Sequence, residues 1–307
     1  MSQIENHPLY RKHTIDTAIN SLWDFYKTRF VSLFLISLGM SLAIQYASTF
    51  VNLKELQAIN DPMVMVEKFK EYLVPIVIIF LLNLFFSTIL QYYILYNPID
   101  SSTSIFVSIF KGFRYYIPFL VIMVILAFVA SIAIVLGLLA LIIGVFFSMI
   151  YVVMLYLFIL PIIMVEGPNI ANTISRTVTL GHKNFWANIG WVAVFIILFI
   201  VISLILSGII LIPFTGSFLK NIINPEEADG IVDVTTKPLF LILSAVVNAI
   251  TLPLVPIFSC ILYFNGRAGE AQAQNISHYE PENRIRVEDL YAKPWSEDHP
   301  DNPGNRN

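Results

Sequence analysis

The sequence predicts an all-α polytopic membrane protein with six transmembrane helices. Of its 307 residues, 57% are hydrophobic and only 13% are charged, whereas about 25% are charged in typical soluble domains. The charges are also unevenly placed, because five long runs contain none: Phe30–Leu53, Tyr72–Ile99, Tyr115–Val165, Asn184–Leu219 and Pro238–Gly266. About 20 apolar residues span the hydrocarbon core of a bilayer, so each run is long enough to cross it.

Residues 1–28 are predicted to form a cytoplasmic N-terminal segment that ends in an amphipathic helix. Ile15, Ala18, Ile19 and Leu22 recur at helical spacing, with charged and amide residues between them. The first apolar run follows this mostly polar segment and has no signal-peptide layout ahead of it. We therefore expect that run to remain in the protein as a membrane helix.

Residues 29–265 are predicted to form the transmembrane domain. Four runs suit one helix each, over Phe30–Ser48, Leu73–Tyr96, Ile189–Ile212 and Leu239–Phe264. A single helix over Tyr115–Val165 would extend about 75 Å, more than twice the hydrocarbon thickness of about 30 Å. This run is therefore predicted to form a hairpin of two helices, Tyr116–Leu136 and Ile142–Met164, with its turn near Gly137 and Gly144.

An amphipathic segment precedes the first, third and fifth predicted spans. The three segments are Ile15–Tyr26, Ile105–Phe113 and Ile170–Val178, and basic and aromatic residues follow each of them. Helices of this kind lie in the membrane interface. The pattern predicts three cytoplasmic interfacial helices and a threefold repeat of one interfacial, one outward and one inward helix. The alternative is that Lys and aromatic residues mark the point where any membrane helix enters the bilayer.

The distribution of Lys and Arg predicts the orientation. Six helices put both termini on one side, and that side carries most of the basic residues. The opposite side carries only Lys54, Lys68, Lys70, Lys220 and Lys237. Since basic residues are enriched in cytoplasmic loops, both termini are predicted to be cytoplasmic, in the inner membrane of a bacterium.

The polar segments outside the spans predict little folded structure. Residues 266–307 are rich in charge, Pro and Gly and are predicted to be disordered; within them, Arg284–Tyr291 could bind a protein partner. The acidic segment Asn221–Thr236 is predicted to be a solvated loop. Lys54–Tyr72 is predicted to include a short surface helix.

Several function classes are excluded by composition and by the motifs that are missing. The net charge is −3 and no basic stripe is present, which argues against a nucleic-acid partner. The single cysteine, Cys260, rules out a disulfide within the chain and a Cys-based zinc site. The chain has no HExxH, P-loop, GxGxxG or GxSxG motif. We therefore expect no catalytic residues, no cofactor and no metal.

Polar residues on three predicted spans form the main candidate binding site. Asn83, Ser87 and Gln91, bordered by Thr88, share one face of the second span, and Ser148 and Tyr151 lie on the fourth. The sixth span adds Ser244, Asn248, Thr251 and Ser259, and Pro253 and Pro256 are expected to interrupt it, as Pro213 interrupts the fifth. These residues predict an intramembrane polar pocket at a broken helix. The alternative is that they only form hydrogen bonds that hold neighbouring helices together.

A second candidate site lies where the spans enter the membrane. Lys27, Arg29, Lys111, Arg114 and Lys183 would form a ring that contacts anionic lipid headgroups. Glu166 directly follows the fourth span. It is expected to have a structural role, either pairing with Arg176 or lying at the N-terminus of the following helix.

The passage around Glu166 resembles a known family. It comprises Leu160–Pro168, then Ile170–Arg176, then Gly181–Trp186, so that a helix ending in an acid is followed by an amphipathic turn and a G-x-x-x-x-W pattern. It is similar to uncharacterised six-helix bacterial membrane proteins related to the membrane domain of glycerophosphodiester phosphodiesterases. The resemblance implies a six-helix fold and a membrane location, without an assigned activity.

Together these observations predict a non-enzymatic integral membrane protein whose partners are membrane lipids. We expect it to bind lipid or a membrane protein and to act in organising the cell envelope. The alternative function is a permease for a neutral or lipid-like solute.

Overall fold

The computed structural model describes residues 3–51, 61–216 and 237–278, and these residues form helices and no strands. Short 3₁₀ turns lie at Gln3–Asn6 and Ile212–Phe214. The α-helices are α1 (Ile15–Thr28), α2 (Phe30–Ser48), α3 (Pro62–Tyr96), α4 (Ile105–Leu139), α5 (Leu141–Glu166), α6 (Ile170–Lys183), α7 (Phe185–Leu211), α8 (Pro238–Thr251) and α9 (Leu254–His278).

Six helical stretches in the described part of the chain are long and apolar enough to cross a membrane, which confirms the predicted fold class. They are Phe30–Ser48, Met63–Tyr96, Ile105–Leu139, Ile142–Glu166, Phe185–Phe214 and Pro238–Gln272. The hairpin turn of the third and fourth spans lies at Ala140, between Gly137 and Gly144. Large apolar side chains on this hairpin are exposed, including Phe128 (70%), Leu139 (80%) and Ile143 (82%). Such a surface suits lipid rather than water.

The amphipathic segments differ from one another in how they join the spans. α1 and α6 are separate helices, because the backbone leaves the helical conformation at Arg29 and at Asn184. The segment at Ile105–Phe113 is instead continuous with the third span in α4, which Ser104 caps. The helix is continuous between Phe110 and Ile117. It includes Gly112, which packs against Ile89. The prediction of a separate second interfacial helix is therefore wrong.

The amphipathic segments contact different parts of the bundle. Tyr26 of α1 donates to the carbonyl of Ile250 on α8, and Arg176 of α6 pairs with Glu166 at the end of α5. In α4, Gly112 lies beside Ile89 of α3. The threefold repeat stays a prediction.

The densest core lies at one end of the bundle. We call this the closed end; it comprises the last turns of α3 and α5, residues 254–264 of α9, and the N-terminal segment 3–14. Fully buried side chains here include Leu95, Phe158, Tyr263 and Phe264. Tyr96 donates to the carbonyl of Met164 (2.7 Å), so the end of α3 is fastened to the end of α5.

Within the closed end, the N-terminal segment packs against α3 through a buried histidine. The Leu9 N–H donates to Nδ1 of His7 (3.1 Å), so Nε2 carries the proton and donates to the carbonyl of Ile94 (3.1 Å). His7 is 3% exposed, and burial lowers its pKa to about 4. Burial also lowers the pKa of His13, whose backbone N–H donates to Oδ1 of Asn265 (2.9 Å). His7 and His13 are therefore neutral in the folded protein at pH 7.

The polar segments differ from the predictions where they are described. The chain divides into two compact units, Met1–Gly266 and Arg267–Asn307. The last helix extends to His278, into the segment predicted to be disordered, because Ala, Gln and Glu after Arg267 favour a helix. In the segment Lys54–Tyr72, where a short surface helix is predicted, the described residues 61–72 form the start of α3, which Asp61 caps and Pro62 begins. Residues 54–60 lie outside the described residues. The predicted loop Asn221–Thr236 and the predicted partner peptide Arg284–Tyr291 lie outside the described residues.

Candidate functional site: an intramembrane cavity

A cavity of about 330 Å³ lies among the spanning helices. Its wall is formed by α2, α3, α4, α5, and the junction of α8 with α9. Most of the lining side chains are apolar, among them Met40, Leu84 and Leu160. The polar residues of the wall are Asn83, Ser87, Gln91, Tyr156 and Ser259. Among the described residues that line it, none carries a formal charge, so the cavity suits a neutral group.

Gln91 lies at the buried end of the cavity and joins two helices. Its side chain is 1% exposed. Nε2 donates to Sγ of Cys260 (3.0 Å) and lies 3.4 Å from the carbonyl oxygen of Pro256, both on α9. Gln91 therefore holds α3 against α9 and faces the cavity.

The α9 wall is fastened to α5 in a similar way. The hydroxyl of Ser259, which is 3% exposed, donates to the carbonyl of Leu157. The next residue back on α5, Tyr156, lines the cavity, and its phenol lies close to the hydroxyl of Ser87 on α3. Polar groups from three helices therefore meet on one wall.

Exposure of the lining side chains shows which way the cavity opens. Along α3, Gln91 and Leu90 are buried, Ser87 and Asn83 are half-buried, and Phe80 is 45% exposed. Since the buried residues are those nearest the closed end, the cavity is shut at that end and opens away from it. This form is a blind pocket within the membrane-spanning region.

The break between α8 and α9 forms part of the wall. The helix is interrupted at Leu252 and Pro253, and Leu252, Val255 and Pro256 line the cavity. Pro253 itself is buried and outside the lining. Pro256 lies in the first turn of α9, where a missing N–H costs no helical hydrogen bond. The sixth span is thus interrupted at Pro253, as expected. The fifth span is also interrupted at Pro213, which lies in the 3₁₀ turn that ends α7.

Several residues of the predicted pocket lie elsewhere. Asn248 is exposed, so its predicted place in the pocket is wrong. The inward face of α8 is the one that carries Ala245 and Ala249, both 0% exposed. Ser244 is half-buried and outside the lining. Thr251 and Thr88 are buried, but their hydroxyls bond to carbonyls of their own helices, at Val247 and Leu84.

The expected residues of α5 also lie outside this cavity. Ser148 is at the hairpin turn, where its Oγ would be 2.7 Å from a Cβ added to Gly137. The hydroxyl of Tyr151 lies 3.4 Å from Nε2 of His182 on α6. Sequence reasoning missed Tyr156, Met40 and Met123, because apolar and aromatic residues on a uniformly apolar span give no signal about which face is inward.

The five predicted lipid-contacting bases have different environments. Lys111, Arg114 and Lys183 are exposed. Lys27 is also exposed, 3.5 Å from Asp24 and over the ring of Trp23. Arg29 is half-buried, donates from Nη1 to Oδ1 of Asn97 (2.7 Å) and lies over Phe25. Arg29 thus joins the start of α2 to the end of α3, while the other four side chains are exposed at the surface.

Glu166 forms a compact polar cluster at the closed end. Oε2 accepts from Nε of Arg176 (2.9 Å), and Oε1 accepts from the hydroxyl of Tyr263 (3.1 Å). The two charged side chains are only 15% and 21% exposed. Gly167, with φ +110°, allows the chain to turn back between α5 and α6. Of the two expected roles, pairing with Arg176 is the one present, and the cluster ties α5, α6 and α9 together.

The described residues contain no group of three His, Cys, Asp or Glu side chains that could hold a metal ion. Searches with this chain find no matching protein-family model, no matching curated protein and no matching solved structure. The geometry of the cavity and of the membrane-facing surface is therefore the basis for a functional proposal.

Proposed function

We propose that this non-enzymatic membrane protein binds a lipid or a lipid-like neutral molecule in the intramembrane cavity. The observation that carries the proposal is the blind, uncharged cavity of about 330 Å³, with its amide and hydroxyl groups gathered on one wall. Ligand pockets commonly combine an apolar lining with a few polar groups that orient the ligand. An apolar chain would cover the lining. The amide nitrogens of Asn83 and Gln91 already donate to protein acceptors, so a ligand hydroxyl would donate to the side-chain oxygen of one of these amides or of Ser87.

The proposal places the protein in a bacterial inner membrane with both termini cytoplasmic, so the closed end faces the cytoplasm. The exposed bases Lys27, Lys111, Arg114 and Lys183 would then lie at the headgroups of the cytoplasmic leaflet. Each basic residue near an anionic surface contributes about 1 kcal/mol of attraction. We also propose that the protein is related to the membrane domain of glycerophosphodiester phosphodiesterases and that it acts in organising the cell envelope.

Native mass spectrometry of the gently solubilised protein tests lipid binding. Ser87→Leu places a larger apolar side chain in the cavity and removes one hydroxyl. Ser131→Leu makes the same exchange on the outer face of α4, where the side chain is exposed. We expect the wild-type protein and Ser131→Leu to retain the same number of ligands, and Ser87→Leu to retain one fewer. Equal retention by all three proteins would contradict the proposal.

A permease for a neutral or lipid-like solute is the second candidate. The interrupted helix at Leu252 and Pro253 favours it, because broken helices form the substrate sites of many transporters. Proteoliposomes loaded with a short-chain fluorescent phosphatidylcholine, whose net charge is zero, separate the two functions. Movement of the probe between leaflets above the rate in protein-free liposomes, reduced in Ser87→Leu, would favour the permease; an unchanged rate would favour binding alone.

A further inference from the structure

A second groove, separate from the cavity, lies between α4, α5 and α6 and has a volume of about 130 Å³. Its floor is buried and apolar, with Ile122, Leu126 and Leu155 among its residues. Its rim is apolar and exposed, at Val129 (39%) and Val178 (45%). A groove whose rim is apolar opens toward lipid chains rather than toward water.

One polar side chain in this groove has an unmet hydrogen-bonding need. Thr177 is 5% exposed, lines the groove, and its hydroxyl has no hydrogen-bond partner. Other threonines of α6 behave differently: Thr173 donates to the carbonyl of Asn169 and Thr179 to that of Ser175, each four residues back. An unpartnered buried hydroxyl destabilises the folded protein. Thr177 is thus positioned to donate to an acceptor that enters the groove.

The surroundings of Thr177 fit an ester carbonyl better than a water molecule. A buried water normally needs two to four polar partners. The other polar side chain lining the groove is Tyr151, whose hydroxyl is already 3.4 Å from His182. An ester carbonyl accepts one hydrogen bond and brings no donor of its own, and the attached chain covers the apolar floor. The exposed Lys183, at the end of α6, supplies positive charge on the same helix.

We propose that the groove at Thr177 binds the glycerol-ester region of an anionic membrane phospholipid. The Thr177 hydroxyl donates to an ester carbonyl, the acyl chain lies on Leu126 and Leu155, and the phosphate lies on the Lys183 side of α6. This site is distinct from the cavity at Gln91 and does not depend on what that cavity binds.

A matched pair of lipids tests the hydrogen bond. Phosphatidylglycerol and its diether analogue have the same headgroup and chains, but the analogue lacks both ester carbonyls. In a native mass spectrometry competition on the full-length protein, we expect the wild-type protein to bind the ester lipid about five-fold more tightly, the ratio that one ordinary hydrogen bond gives. Equal binding of the two lipids by the wild-type protein would overturn the proposal.

Variants at α6 assign the preference to one hydroxyl. Thr177→Val keeps the shape and removes the donor, so the ester preference should disappear; Thr179→Val, an exposed control, should keep it. Thr177→Ser restores a hydroxyl and should restore the preference. Persistence of the preference in Thr177→Val would contradict the proposal. Ser87→Leu should leave the ester preference unchanged, so failure of the groove site and failure of the cavity site are distinguishable.

The lipid-free protein provides an independent readout. Since Thr177→Val removes an unsatisfied buried hydroxyl, its melting temperature after delipidation should equal or exceed that of the wild-type protein. Added phosphatidylglycerol should then raise the melting temperature of the wild-type protein more than that of the variant. A lower melting temperature for delipidated Thr177→Val would show that the hydroxyl has a partner within the protein and would overturn the proposal.

Discussion

Single side chains at the closed end connect helices that are far apart in sequence. Glu166 accepts hydrogen bonds from Arg176 on α6 and Tyr263 on α9, and His7 joins the N-terminal segment to the end of α3. Both groups are largely withdrawn from water. Because an unmatched polar group is costly in such a place, each makes a measurable contribution to stability.

Glu166→Gln should destabilise the protein by about 1–3 kcal/mol, because a neutral amide replaces a carboxylate that accepts from two donors and pairs with a guanidinium. Thermal unfolding in detergent measures the change. Glu71→Gln is the matched control, since Glu71 pairs with Lys68 at 2.9 Å but is 60% exposed. Such an exposed pair contributes about 0–1 kcal/mol. Equal effects of the two substitutions would show that the Glu166 cluster does not hold the helices together.

The pKa of His7 predicts how stability changes with pH. The folded protein lowers this pKa from 6.5 to about 4, so between these values the unfolded chain takes up a proton that the folded protein does not. Stability is therefore fully present above about pH 6.5 and falls as the pH approaches 4, by about 3 kcal/mol in total from this group. His13 acts in the same direction.

His7→Gln should reduce the fall in melting temperature between pH 7 and pH 4.5, because Gln stays neutral and can still donate to the carbonyl of Ile94. As a control, Asn188→Leu changes a buried side chain that has no titratable group, so it should lower the melting temperature equally at both pH values. A pH profile of His7→Gln that parallels the wild-type profile would contradict the assignment.

At the scale of elements, the α4–α5 hairpin depends on two glycines. A Cβ on Gly137 would lie 2.7 Å from the carbonyl oxygen of Gly144, and a Cβ on Gly144 would collide with the carbonyl oxygen of Gly137. The helices therefore approach each other backbone to backbone. Small residues at such crossings are typical of membrane helix pairs.

Gly144→Ala should destabilise the protein by about 1–3 kcal/mol, because the hairpin must open to admit the methyl group. Gly208→Ala is the control: it also lies in a spanning helix, but nothing is within 4 Å of the added Cβ. That substitution should be neutral or stabilising, since Ala favours a helix more than Gly does. Thermal unfolding compares the two variants, and similar losses in both would show that the close approach does not matter.

The elements show how far the sequence could be read. The six spans follow from composition and length, because only buried or lipid-facing segments can exclude charge for so long. The rotation of each span does not follow: Asn248 was expected in the pocket but faces outward, because Ala245 and Ala249 pack inward. Burial of the N-terminal segment could not be predicted from the sequence either. His7 and His13 belong to no periodic pattern of apolar residues, and their partners, Ile94 and Asn265, are distant in sequence.

At the scale of the whole molecule, the proposed orientation predicts which residues an external reagent can reach. The native Cys260 is 0% exposed, so introduced cysteines can be labelled selectively. In intact cells, a membrane-impermeant maleimide should react with Glu227→Cys, in the predicted external loop. Ser2→Cys should react only after the membrane is permeabilised. Labelling of Ser2→Cys in intact cells would reverse the orientation and place the closed end outside.

The central proposal is that the cavity beside Gln91 holds a lipid or a lipid-like molecule. A cryo-EM map of the protein in lipid nanodiscs tests this most directly, because both the cavity walls and any occupant are seen together. We predict continuous elongated density between the walls formed by Asn83, Ser87 and Ser259, entering past Phe80 and ending near Gln91. A cavity filled by the protein's own side chains, or one without such density, would contradict the proposal.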